Sequence, residues 1–187
     1  MEDKIILASA SPRRRELMAL ITTEFEIITA DVDETIEEGT IPSDAVMMLS
    51  FKKAKAVSEL YKGRTVIGAD TVVVCDNKIL GKPESRENAK EMLTMLSGRS
   101  HQVLTGVTIT DGEKTDTFFV SSDVTFFSLS DEEITAYAES GEPDDKAGAY
   151  AIQGKGSLFV EKINGDYFNI VGFPVSEVNR RLKVFSA

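Results

Sequence analysis

The stretch VLTGVTITDGEKTDTFFV, residues 103–120, decides the fold class. Two runs rich in β-branched and aromatic residues, 103–110 and 114–120, flank Asp111-Gly112. Asp-Gly between such runs signals a hairpin, because both residues tolerate the positive φ that a tight turn demands. Paired antiparallel strands exclude a purely parallel sheet.

Working outward from this hairpin, strands and helices alternate. Toward the N-terminus, 65–75 is strand-like but interrupted at Gly68-Ala69-Asp70, and Asp76-Asn77 turns the chain into 78–80. Ser85 is placed to cap a helix that runs to Leu96 and stops at Gly98. A helix is expected from about 44 to 61 with Ser43 as its cap, preceded by the acidic loop DVDETIEEGTIP, 31–42. Residues 25–29 read as a strand, and Lys4 to Ala8 as another. Ser11 then looks like an N-cap with Pro12 at the first helical position, and a helix follows to Leu20. Toward the C-terminus, 124–129 is a strand, and Ser130 with Glu133 forms a capping box for a helix ending near Gly141. Runs 157–163 and 166–171 around Asn164-Gly165 read as a second hairpin, and a last helix covers 176–184. The expectation is an α/β fold: a mixed sheet flanked by helices, in a single domain over residues 1–187. No repeat, low-complexity segment or linker divides the chain.

Composition narrows the function classes. A chain of 187 residues with 42% hydrophobic and 28% charged content can build a core. A net charge of -10 and a pI near 4.7 speak against nucleic-acid or anionic-membrane partners, which want a basic face. No run approaches the roughly 20 apolar residues of a membrane span. MEDKIILAS carries acidic residues where a signal peptide needs basic ones. Cys75 is the sole cysteine, so no internal disulfide forms, which fits a reducing, cytoplasmic setting.

Against this acidic background, LASASPRRRE at 7–16 gathers Arg13, Arg14 and Arg15 in a first helical turn. Cations there oppose the helix dipole unless an anion comes between. A phosphate held by Ser9, Ser11, backbone N–H groups and forked guanidinium groups would supply it; a solvated basic turn is the equal alternative. Lys53 falls inside an apolar helical stripe with Val46, Leu49, Val57 and Leu60. Such a lysine either snorkels to the edge of the stripe or reaches an anion in a cleft. Asp70 breaks the apolar run TVIGADTVVV, as an Asx turn or bulge or as a carboxylate aimed at a metal or cation. Strand pattern on both sides favours the second reading. Lys82, between Gly81 and Pro83, is an exposed turn lysine or a further cation for the same anion.

In the acidic loop, Asp31, Asp33 and Glu34 offer oxygen ligands of the type Mg²⁺ or Mn²⁺ prefers, although most of such a run is normally solvated. EPDDKAGAYAIQGKG, 142–156, surrounds Tyr150 and Gln153 with small residues, and Asp145 and Lys146 read as a structural ion pair. The Gln153 amide both donates and accepts, so it suits the edge of a base; as a surface-loop glutamine it would need no role. His101, the lone histidine, reads as a strand-edge residue, and Cys75 as inert core. There is no GxxxxGK[ST], no GxGxxG and no GxSxG. Several cations, a few carboxylates and one amide reader, with no nucleophile beside a base, fit polyphosphate cleavage by metal-activated water.

The ordered series LASASPRRRELM, DVDET, KAKA, GADTVV, LGKP, LSGRSH, TGV, EPDDKAGAYAIQGKG and GDYFNIVGFP, from residue 5 to about 175, resembles the Maf family of nucleoside triphosphate pyrophosphatases. The resemblance implies a mixed, curved sheet in two lobes around a deep cleft, related to the inosine triphosphatase-like fold. It implies hydrolysis of a nucleoside triphosphate to monophosphate and pyrophosphate, with a divalent cation (Mg²⁺ or Mn²⁺) and a homodimer. Arginine after Ser-Pro, here Arg13, and glutamine in IQG, here Gln153, are similar to the dTTP/UTP branch. The branch acting on 7-methyl-GTP tends to have an aromatic and an acidic residue there. Asp144 departs from the family, where relatives often carry an apolar residue. On this likeness Asp70 is the proton acceptor and, with Glu34, a metal ligand. Arg13, Arg14, Lys53 and Lys82 hold the phosphates, and Thr71 and Gln153 help select an ordinary or modified pyrimidine. The alternative is a nucleotide-binding regulator of septum formation without turnover.

Overall fold

The 103–120 hairpin is the spine of the sheet. In the computed structural model, which describes residues 5–185, strands β5 (Ser100–Thr110) and β6 (Thr115–Phe126) pair antiparallel along their whole length, from Thr110↔Thr115 to Ser100↔Thr125. Asp111 Oδ1 accepts from the N–H groups of Glu113 and Lys114 at 2.9 and 2.7 Å and so closes the turn. Five further strands complete a mixed sheet: β1 (Ile5–Leu7), β2 (Phe25–Ile27), β3 (Val66–Cys75), β4 (Lys78–Leu80) and β7 (Val160–Asn164). Their order is β2-β1-β3-β5-β6-β7, with β4 on β3. β1 lies parallel to β2 and β3, and every other pair is antiparallel. The expected start of the first strand, Lys4, lies outside the described residues.

Helices α1 (Pro12–Met18), α2 (Pro42–Ser58), α3 (Arg86–Leu96), α4 (Asp131–Glu139), α5 (Tyr167–Val171) and α6 (Val175–Phe185) flank this sheet. Among the described residues none is long and apolar enough to cross a membrane. The period of two along β3 sorts its side chains. Val66, Val72 and Val74 pack in small clusters with Val46, Ala54 and Val57 of α2. Ile67, Ala69, Val73 and Cys75 enter the main core with Leu93 of α3, Ile134 of α4 and Leu182 of α6.

Two glycines bring α2 unusually close to the sheet. A Cβ on Gly68 of β3 would stand 2.4 Å from the Ser50 carbonyl oxygen, and one on Gly106 of β5 would stand 2.3 Å from that of Val46. Only hydrogen at these positions lets the helix backbone rest on the strands.

The structure corrects several expectations. Gly68-Ala69-Asp70 interrupts nothing: β3 keeps unbroken register with β5 from Val66↔Thr110 to Val74↔Gln102. Helix α2 begins at Pro42, because a proline fixes φ and needs no N–H partner at the first helical position, so Ser43 lies inside the helix and caps nothing. Residues 160–171 are not a hairpin. Asn164-Gly165 leads from β7 into α5, whose N-cap Asp166 accepts from the Phe168 N–H at 2.8 Å. His101 is no edge residue: β5 lies between β3 and β6, and the imidazole is buried.

Strand pairing also leaves a gap. On one side of β3, β1 pairs as far as Ile67 and β4 begins at Val73. Among the described residues no strand covers 68–72 on that side.

Candidate active site

A cavity of about 520 Å³ opens at this gap. Because one margin of β3 is bare there, side chains from both faces of the strand reach it, Asp70 from the α2 face and Thr71 from the opposite one. The chain leaving β1 supplies Ser9, Ser11, Arg13 and Arg14. Glu34 arrives from the acidic loop, Lys53 from α2, Lys82 from the turn after β4, and Gln153 from the loop before β7. These ten residues, scattered along the sequence, thus line one cavity.

Helix α1 forms at this corner for local reasons. Ser11 adopts extended geometry and its Oγ accepts from the Arg14 N–H at 3.4 Å, while Pro12 occupies the first turn. The three arginines then diverge. Arg13 and Arg14 line the cavity, and Arg15 is exposed. Arg14 is tightly placed: Nε donates to the Gly172 carbonyl at 2.9 Å, Nη2 to Thr71 Oγ1 at 3.0 Å and Nη1 to Ser9 Oγ at 3.3 Å. Thr71 Oγ1 lies 2.9 Å from Thr105 Oγ1, which donates to the Asn169 carbonyl at 2.9 Å. Each hydroxyl can give one proton, so the chain has a direction, from Arg14 through Thr71 and Thr105 to Asn169. Burial lowers the pKa of Arg14, and the charge of Asp70 pulls it back up.

Lys53 settles which of its two readings holds. Its Nζ lies 2.7 Å from Asp70 Oδ1 and 3.0 Å from Glu34 Oε1. The Lys53 and Asp70 side chains keep only 14% and 12% of their exposure, whereas Glu34 keeps 58%. The ammonium therefore enters the cleft and does not snorkel outward. Asp70 faces α2 because the register of β3 puts it there, opposite Gly106 of β5.

Around the wall, Arg13, Arg14, Lys53, Lys82 and Lys146 face Glu34, Asp70 and Asp145. A chain of net charge -10 has concentrated a cationic excess in one hollow, which is what a polyanion requires. Two carboxylates meeting on one ammonium make a hard-oxygen donor pair. Mg²⁺ and Mn²⁺ bind through one or two carboxylates when a phosphate ligand supplies further oxygens, so the residues present fit such an ion. Among the described residues there is no group of three or more His, Cys, Asp or Glu poised for a metal. Asp31 and Asp33 of the acidic loop do not line the cavity.

Sequence reasoning missed part of this wall. Asp145 and Lys146 pair as expected, and the pair also lines the cavity; the Lys146 hydrogen bond lowers the Asp145 pKa. Gly172 anchors Arg14 through a carbonyl, and no side-chain pattern announces a carbonyl. Ile170 and Val171 of α5 and Val103 of β5 form an apolar flank. Tyr150 lies on the wall with its hydroxyl 2.7 Å from His101 Nε2.

The family model described as Maf-like protein matches residues 4–185. The dTTP/UTP pyrophosphatase of Bacillus mycoides (strain KBAB4) is 53% identical over 184 residues, 98% of this chain and 96% of that protein. Its namesake in Bacillus cereus (strain AH187) is 54% identical over 183 residues, again 98% and 96%. Among solved structures, a HAM1 protein from Coxiella burnetii superposes with a TM-score of 0.52 over 96% of this chain and 98% of that one, at 14% identity, which shows a shared fold.

Proposed function

The chain belongs to the Maf family, and on that premise we propose that it hydrolyses dTTP and UTP to the nucleoside monophosphate and pyrophosphate. One observation carries the reading. Arg13, Arg14, Lys53, Lys82, Asp70 and Gln153, distant along the sequence, line one cavity of a size suited to a nucleotide. The cations hold the triphosphate and stabilise charge on the leaving pyrophosphate. Water attacks the α-phosphorus, the bond between the α- and β-phosphates breaks, and Asp70 takes the proton of the attacking water. Lys53 fixes the Asp70 carboxylate through Oδ1. Gln153 presents an amide that can accept from the N3–H of uracil or thymine and donate to a ring carbonyl.

Glu34 and Asp70 are the residues that would hold a divalent ion. When bound, Mg²⁺ or Mn²⁺ neutralises phosphate charge and orients the triphosphate.

The test is incubation with dTTP and UTP in Mg²⁺ or Mn²⁺. Pyrophosphate and monophosphate in equal amounts support the reading. Orthophosphate would mean cleavage at the γ-phosphate, and no product with nucleotide still bound would leave a binding protein. The assembly we assign on family likeness is a homodimer; a monomer mass by light scattering overturns that assignment.

A further inference from the structure

Gln153 stands on a loop whose ends are tied from outside the cavity. The Ala151 N–H donates to Tyr137 Oη at 3.2 Å, and Tyr137 Oη donates to Glu142 Oε1 at 3.0 Å. The same Glu142 Oε1 accepts from the Gly156 N–H at 3.2 Å, and Oε2 accepts from the Lys155 N–H at 3.2 Å. Neither Tyr137 nor Glu142 lines the cavity. Their polar atoms point at the backbone on either side of Gln153, at Ala151 before it and at Lys155 and Gly156 after it.

Two glycines show how tightly the loop is drawn. A Cβ on Gly156 would sit 2.3 Å from the Ala151 carbonyl oxygen and 2.9 Å from Tyr137 Oη. One on Gly154, where φ is +80°, would sit 2.8 Å from Glu142 Oε1. The anchor is firm as well. Tyr137 belongs to α4 and is buried, with its ring edge-on to Phe159 at 4.9 Å between centroids.

We infer that Tyr137 and Glu142 are positioning residues for base selection, fixing the loop 151–156 so that the Gln153 amide meets a pyrimidine edge. This rests on the dTTP/UTP reading above. A one-carboxylate clasp suits the task because a charged acceptor strengthens each of its three hydrogen bonds. An amide that must satisfy one donor and one acceptor on the base loses both when its backbone shifts.

The test separates the base end of the substrate from the phosphate end. Glu142→Gln keeps an acceptor for Tyr137 and Gly156 but gives up the bond from Lys155. Tyr137→Phe and Glu142→Ala break the clasp. In the latter two, KM for dTTP and UTP should rise about tenfold, one decade of affinity, while kcat holds. Discrimination against CTP, ATP and GTP should shrink, and competitive inhibition by pyrophosphate should stay as in wild type. Glu142→Gln should fall between. Unchanged nucleotide preference in folded Tyr137→Phe protein overturns the inference. So does a loss shared by every nucleotide and by pyrophosphate, which would mark a merely structural role. Should Glu142→Ala fail to fold, Glu142→Gln and Tyr137→Phe still decide. If wild-type protein releases no pyrophosphate, the functional reading falls, and the inference is then judged by Kd for UTP, which must weaken in the variants.

Discussion

Lys53 of α2 and Asp70 of β3 approach to 2.7 Å across the junction of helix and sheet, and Glu34 reaches the same ammonium at 3.0 Å. The contact joins two elements that pack through glycines, and it sits where the margin of β3 is bare. Replacing Asp70 by Asn keeps the shape and removes the proton acceptor. We expect Asp70→Asn to lower kcat by about 10²- to 10⁴-fold, the usual worth of a positioned base, with nucleotide binding retained. Near-normal turnover in a pyrophosphate-release assay would remove Asp70 from its assigned role.

Arg14 holds its neighbours through a fork. An ammonium in its place cannot serve Gly172, Thr71 and Ser9 together from one fixed plane. Arg14→Lys should therefore cost about 10- to 100-fold in kcat/KM although charge is conserved, since slight misplacement of a phosphate-holding group is expensive. Steady-state kinetics on UTP decide, and equal activity would show that charge alone suffices.

Gly106 sets the height of α2 above the sheet. A methyl there meets the Val46 carbonyl at 2.3 Å, so the backbone of α2 must lift. Overpacking of this kind costs about 1–3 kcal/mol, and lifting α2 also draws Lys53 away from Asp70. Urea unfolding of Gly106→Ala should show that loss beside a fall in activity. Gly81→Ala, with open space around it, should leave stability near wild type.

His101 is the only histidine, and burial pushes its pKa from 6.5 down to about 4. The folded chain keeps the ring neutral, whereas the unfolded chain binds a proton below its ordinary value. Stability present above pH 6.5 is therefore lost as pH falls toward 4, by up to about 1.4 kcal/mol for each unit crossed. The lone imidazole resonance should titrate in NMR with a midpoint near 4. A midpoint at the ordinary histidine value would show that the His101–Tyr150 pair opens to water.

Much of this was legible because it is local. The Asp111-Gly112 turn, the Ser11-Pro12 entry to α1 and the capping box of α4 are each written within a few residues and appear as expected. Helix α5 was not, because five residues are too short for a helical period to show. A turn signal precedes it, and its true markers are Asp166 at the N-cap and Gly172 stopping it at φ +117°. His101 was misread for a different reason: whether a strand is central is settled by partners far along the chain. Within the cavity, charged residues interrupting apolar runs gave away Lys53 and Asp70. The Gly172 carbonyl and the Tyr137–Glu142 clasp left no such trace, since the first is, and the second holds, backbone groups that every residue possesses.

The interval in pairing between Ile67 and Val73 has a consequence for how this architecture can vary. The hollow is made by where strands end, so exchanging a wall side chain alters what the hollow recognises without erasing it. Such a scaffold can change its clientele by a few replacements at the rim while its skeleton stays recognisable.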